Sequence, residues 1–251
     1  MFMVAKSSLD GLKILVTRPQ HQANSLLELI AEAGGEAIAF PTLDIVPLAV
    51  GDAGELNTQD MIIFVSQNAV TYFDNALKQQ LANNILNVAV GASTAKCMQE
   101  QGFNDVIQAP SPAGTESLLA MPDLKNVEGK RVLIVRGQDG RELLAETLTA
   151  RGAKTRYLEV YQRALPAPTQ EMVKQALSAQ KIIISSVNSL VNLCQLIGEK
   201  NVRNKHLIVV SNRIKQYAIG QGFKNIDVAD DASDKALMQQ IEKVGQTNGR
   251  K

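Results

Sequence analysis

Met61–Phe73 reads MIIFVSQNAVTYF, and 120 residues further on Lys181–Leu193 reads KIIISSVNSLVNL, with Ser66 over Ser186 and Asn68 over Asn188. An apolar run of strand length that passes through hydroxyl and amide residues into helical spacing is a strand handing its carboxyl end to a helix. At the same offset Val88–Val106 falls on Ile208–Ile226, so that Gln101-Gly102-Phe103 returns as Gln221-Gly222-Phe223. At an offset of 118, Lys13–Gly34 falls on Arg131–Gly152, with Arg18 over Arg136 and Leu26 over Leu144. The chain is thus two copies of one α/β unit. Two similar domains facing one another make a cleft, the expected place for a ligand.

The outer blocks show the same alternation. Ile14–Thr17 is a short apolar strand, Pro19 suits a first helical turn, and Ala23, Leu26, Leu27 and Ile30 keep helical spacing until Gly34-Gly35, before a strand at Ala37–Phe40. Val132–Val135, Gly140–Arg151 and Ala153–Leu158 repeat the pattern. Further strands are expected at Met61–Val65, Val88–Val90, Asp105–Ile107, Lys181–Ile184, Leu207–Val210 and Asn225–Val228. Strands alternating with helices and lacking hairpin turns predict an α/β protein with parallel sheets, helices on both faces and right-handed crossovers. Two extended, proline-bounded segments, Pro41–Leu48 and Glu159–Pro168, break the alternation at equivalent places. They are internal loops if each copy folds on its own, or a two-stranded linker if the N-terminal block completes the C-terminal copy. The residues themselves leave both arrangements open.

Composition narrows the chemistry. The 251 residues, 45% of them hydrophobic, suffice for two cores of ordinary size. A formal charge of +1 supplies no global field for nucleic acid or an anionic membrane, so an acidic ligand must be met by local donors. Cys97 and Cys194 lack CxxC spacing and read as buried, reduced thiols of a cytosolic protein. Met1–Lys6 is too short for a secretory apolar segment, and no run approaches a membrane span. With only His21 and His206, neither a Ser-His-Asp triad nor a histidine metal site is supported, and no GxGxxG or GxxxxGK[ST] motif is present. No cofactor and no metal are expected.

The strand ends carry what remains: Thr17-Arg18-Pro19, Ser66-Gln67-Asn68, Gly91-Ala92-Ser93-Thr94, Arg136-Gly137-Gln138-Asp139-Gly140, Ser185-Ser186-Val187-Asn188 and Ser211-Asn212-Arg213. Small polar residues at helix starts leave backbone N–H groups pointing outward, a ready site for carboxylate or phosphate. The same serines and threonines can simply cap their helices. Arg18 and Arg136 hold one slot in both copies and either bind carboxylate or tie down a carbonyl. Tyr161 alternates with Glu159 and Arg163 on one face of an extended segment, as packing or as a functional phenol.

Five motifs in order resemble the uroporphyrinogen-III synthase family: Thr17-Arg18-Pro19; Phe64, Ser66, Asn68, Ala69 and Val70; Val90, Gly91, Thr94 and Ala95; Arg136, Gly137 and Gly140 through Leu144; and Val160-Tyr161-Gln162. The resemblance spans Leu12 to about Ile241 and lies in the order and spacing of motifs that are individually weak. It implies two flavodoxin-like domains joined by a two-stranded β-linker, with residues 1–40 and 167–251 forming domain one, 49–156 domain two, and 41–48 and 157–166 the linker strands. It implies closure of the linear tetrapyrrole hydroxymethylbilane to uroporphyrinogen III, with loss of water and inversion of the last ring. Because electron-rich pyrroles can expel hydroxide themselves, folding the chain and assisting the leaving group suffices, without metal or triad. Tyr161 then assists the departing hydroxyl, while Arg18, Ser66, Asn68, Gly91, Thr94, Arg136, Gly137 and Ser186 hold the substrate's carboxylates. Ile214 stands where Thr94 has its counterpart, so no role is carried onto it. A cytoplasmic monomer is implied, with room for transient contact with the preceding pathway enzyme. The alternative from another class is a non-catalytic two-domain binding protein for a small polyanion.

Overall fold

The computed structural model describes residues 9–50 and 54–248; the expectation for Met1–Lys6 lies outside the described residues. Eleven strands run through them: β1 (Lys13–Val16), β2 (Glu36–Ala39), β3 (Asp44–Pro47), β4 (Met61–Phe64), β5 (Leu86–Ala89), β6 (Ile107–Gln108), β7 (Arg131–Gly137), β8 (Lys154–Ala164), β9 (Lys181–Ile184), β10 (His206–Val209) and β11 (Ile226–Val228). They form two sheets, one in each of two compact units, Met1–Asp44 with Leu165–Lys251 and Ile45–Ala164.

The first sheet has the order β11-β10-β9-β1-β2 and is parallel throughout. The second has the order β3-β8-β7-β4-β5-β6, parallel from β8 to β6. The sequence repeat maps β4, β5, β6, β7 and β8 onto β9, β10, β11, β1 and β2, and both sets occupy the same spatial order. The N-terminal βαβ block therefore completes the sheet built by the C-terminal strands. β1 lies between β2 and β9, with Ile14 opposite both Ala37 and Lys181.

Continuous apolar runs are explained by cover on both faces. In β4, Ile62 and Phe64 join one core cluster with Leu133 and Val135, while Met61 and Ile63 join another with Val132 and Ile134. In the other unit, Leu15, Ile182, Ile184 and Leu207 share one cluster, and Ile14, Val16, Ile183 and Ile208 pack on the opposite face against Leu26, Ile30, Leu237 and Ile241. Lys181 is the exception in these runs. It is 1% exposed, its Nζ has no hydrogen-bond partner among the described residues, and burial pulls its ammonium down to about 8 despite the pull of Asp227. Its counterpart in the repeat is Met61, equally buried.

Several local expectations are revised. Ala153–Leu158 and the extended Glu159–Pro168 are one strand in its main part, β8, because β7 pairs with it as far as Tyr161 and β3 lies along its other side. Pro19 precedes the helix Gln20–Glu32 rather than entering it. Gly140–Arg151 begins its helix only at Leu143, and Asp105 adopts φ 48°, so the strand expected there starts at Ile107. Cys97 and Cys194 are free thiols but half-buried, and burial pushes the Cys194 thiol upward. His206 pairs with Asp227 at 2.7 Å, while the His21 side chain lies outside the described residues. No helix of the described residues is long and apolar enough to cross a membrane.

Candidate active site

In the Ile45–Ala164 unit, β4, β7 and β8 end around a cavity of about 350 Å³ at their carboxyl ends, where parallel α/β sheets place ligands. Ser66, Arg136, Gly137 and Tyr161 all line it. Ser66 leaves β4 in extended backbone and caps the helix Gln67–Thr71, its Oγ accepting the Ala69 N–H at 3.0 Å. The same Oγ lies 3.1 Å from the Tyr161 hydroxyl. A cap and a phenol contact are thus combined in one serine.

Tyr161 reaches this place through a bulge. Register runs Leu158 to Val135 and Glu159 to Arg136, then skips Val160 so that Gly137 faces Tyr161. The extra residue breaks the expected alternation. Glu159 stays on the face of Arg136, whereas Leu158, Val160 and Tyr161 enter one core cluster. Tyr161 is 2% exposed, its ring is 6.0 Å from that of Tyr72, and Gly137 provides the flat backbone against which it rests.

Arg136 is 7% exposed and already engaged. Its guanidinium donates to Glu159 Oε1 at 3.1 Å and to Glu142 Oε1 at 2.9 Å, and lies 3.7 Å from the centroid of the Tyr157 ring. Tyr157 donates to Glu142 Oε2 at 2.6 Å. Burial would lower the arginine's pKa, but the hydrogen bonds it donates to its two glutamates outweigh this and raise it. The Tyr157 hydroxyl and Arg136 hold the Glu142 carboxyl below its usual range, and burial together with Glu142 pushes the Tyr157 phenol up to about 12. Arg18, in the same slot of the other unit, donates to Asp234 Oδ1 at 2.5 Å and to the Ala232 carbonyl. Both repeat-preserved arginines therefore tie a strand end to a carboxylate of the protein itself.

The other predicted residues lie elsewhere. Asn68 is half-buried in the first turn after Ser66. Gly91 and Thr94 start the helix Ala92–Glu100, where a Cβ on Gly91 would stand 2.5 Å from that of Ala113. Ser186 caps the helix Val187–Ile197 in the other unit, accepting the Ser189 N–H at 3.0 Å. There, Thr17, Thr42 and Ser189 form a buried hydroxyl cluster, with Thr17 Oγ1 2.7 Å from Ser189 Oγ and donating to the Ile183 carbonyl at 2.7 Å. Reading the sequence missed the Glu142–Arg136–Glu159 network, although the spacing Arg136…Glu142 within one strand-to-helix turn was a signal for it. No group of three or more metal-ligating side chains occurs among the described residues.

Residues 24–239 match the family described as Uroporphyrinogen-III synthase HemD. The uroporphyrinogen-III synthase of Escherichia coli (strain K12) is 31% identical over 249 residues, covering 92% of this chain and 100% of that protein. Among solved structures, uroporphyrinogen-III synthetase from Helicobacter pylori 26695 superposes with a TM-score of 0.65 at 18% identity, covering 93% of this chain and 99% of that one. A mutant uroporphyrinogen III synthase from the extremely thermophilic bacterium Thermus thermophilus gives 0.57 at 17% identity, over 94% and 100%. These structures share the α/β fold with its parallel sheets, and the sequence matches extend over nearly the whole length. The chain belongs to the uroporphyrinogen-III synthase family.

Proposed function

We propose that the chain closes hydroxymethylbilane to uroporphyrinogen III, with Tyr161 assisting departure of the hydroxyl. The observation that carries the role of Tyr161 is its phenol, fixed by Gly137 and Ser66 in the wall of a cavity. Either hydroxyl can donate in the Ser66–Tyr161 contact, and when Ser66 donates to the tyrosine oxygen the phenolic hydrogen is left for the substrate. The pyrrole nitrogen lone pair pushes out the hydroxyl on the terminal hydroxymethyl carbon, giving an azafulvene cation and, with a proton, water. A phenol donating to the leaving oxygen stabilises charge that develops only in that step. The last pyrrole then attacks, ring inversion follows, and loss of a proton restores aromaticity.

In this reading Ser66, Asn68, Gly91, Thr94 and Ser186 meet propionate and acetate groups at strand-to-helix turns, while Arg18 and Arg136 hold those turns in place. The two units are flavodoxin-like domains: numbered within its unit, the first sheet has the order 2-1-3-4-5, and strands β4 to β8 of the second have the same order circularly permuted, with β3 added at the edge, which supports the assignment. The reading carries no cofactor, and it places a monomer in the cytoplasm with transient access to the enzyme that makes its unstable substrate. Nothing in the comparisons favours the non-catalytic polyanion-binding alternative. The test is to supply freshly made hydroxymethylbilane and resolve the uroporphyrin isomers after oxidation. An excess of isomer III over the spontaneous isomer I is expected; isomer I alone overturns the reading.

A further inference from the structure

The positive charges around the Tyr161 cavity are not equivalent. Three arginines line it: Arg136, Arg141 and Arg163. Arg136 is buried between Glu142 and Glu159 and has no charge to offer a ligand. Arg141 and Arg163 are exposed, and no carboxylate pairs with either among the described residues. Arg163 stands two residues beyond Tyr161 on β8, past the bulge, and its guanidinium carbon lies 5.9 Å from the centre of the tyrosine ring. Arg141 sits in the turn leading into the helix Leu143–Ala150, beside Gly140 and facing the same cavity. Asp139 also lines the wall and repels carboxylate, which confines an anion to the two arginines.

We infer that Arg141 and Arg163 grip the acetate and propionate of the one pyrrole that carries the hydroxymethyl group, and so deliver its leaving oxygen to Tyr161. The inference rests on the functional reading above. A terminal pyrrole bears those two chains on adjacent carbons, so one ring can present two carboxylates to two cations. Arginine's planar fork takes each carboxylate through paired N–H donors. An anion on Arg163 holds its ring within reach of the phenol, because the guanidinium and the tyrosine share one face of the strand. Both residues act by positioning; neither touches the bond that breaks.

The test uses the full chain with Arg141→Gln, Arg163→Gln and the double substitution. Each single variant is expected to raise KM about tenfold, the lower part of the range for a charged hydrogen bond because the sites are exposed. The double variant raises it more and lowers kcat by about tenfold, as the leaving oxygen is less well delivered to Tyr161, while isomer III remains the product. Lysine at either position recovers part of the loss. Added salt raises the wild-type KM and barely moves that of the double variant. Melting curves stay unchanged, which separates lost binding from lost folding. A synthetic hydroxymethylbilane with methyl in place of the acetate on the hydroxymethyl-bearing ring is discriminated by wild type and not by the double variant. A double variant whose KM and salt dependence match wild type overturns the inference, and equal discrimination against the methyl analogue overturns the choice of ring. Failure of the wild-type chain to give isomer III overturns the functional reading itself.

Discussion

Gly137 and Tyr161 are in direct apposition: a Cβ built on Gly137 would stand 2.5 Å from Cζ and 3.0 Å from Cδ2 of the tyrosine ring. Carbon atoms cannot approach so closely, so any side chain at 137 must move the ring, which is buried and has little room. We expect Gly137→Ala to lower kcat at least tenfold with a smaller change in KM. Combined with Tyr161→Phe it should cost little more than the worse single variant, since both act on one phenol. Single-turnover rates of the two singles and the double check this.

Tyr161→Phe removes the hydroxyl and keeps the ring on Gly137. A loss of about a hundredfold in kcat is expected, within the usual span for a positioned proton donor, with residual activity and isomer III still formed. Ser66→Ala, which removes the phenol's partner and the helix cap together, lowers kcat less and also costs about 1 kcal/mol of stability. Substitutions of Arg18, Thr94 or Ser186 should affect turnover less than Tyr161→Phe. A Tyr161→Phe enzyme with normal kcat would reduce Tyr161 to packing.

Arg136→Gln removes the buried guanidinium that ties Glu159 to Glu142, two carboxylates that themselves reach solvent, and a lower midpoint is expected in urea melts. Tyr157 adds a pH signature. Its folded pKa of about 12 lies above the ordinary value of 10, so its contribution is complete below pH 10 and is lost as pH rises from about 10 to 12. Tyr157→Phe should remove that alkaline loss.

Lys181→Met puts into one unit the residue its counterpart position holds in the other. The buried ammonium has a folded pKa of about 8 against an ordinary 10.5, so the unfolded chain binds the extra proton between those values. The penalty is therefore complete below about pH 8, and stability rises as pH climbs from 8 to 10.5. Lys181→Met should stabilise the protein by about 2–3 kcal/mol at pH 7, by almost nothing at pH 11, and should abolish the rise between. Denaturant midpoints at the two pH values decide it.

The repeat made the class of fold legible, because Met61–Phe64 and Lys181–Ile184 carry the apolar runs that only doubly covered strands carry. The swap of N-terminal blocks was not legible from periodicity, since β1 pairs as well with any parallel strand; the family resemblance pointed to it. Tyr161, Ser66, Gly137 and Arg136 were legible as candidates, but their relation was not. A single extra residue, Val160, decides which face Tyr161 joins, and a bulge leaves no mark in a sequence of β-forming residues. The duties of Arg18 and Arg136 were equally hidden, because a guanidinium at a strand end looks the same whether its carboxylate comes from a ligand or from Asp234 or Glu142.

The insertion of Ile45–Ala164 between β2 and β9 also sets an order of events during synthesis. The inserted unit is continuous and can finish its sheet while the ribosome is still at work. The first block cannot: β1 keeps one flank, Ile14 to Val16, without its neighbour until residues 181–183 have emerged. A nascent chain halted near Ala164 thus holds one finished sheet and one open, apolar strand edge, the kind that pairs with other chains. Truncation products of this length should aggregate, whereas residues 45–164 expressed alone should remain dispersed.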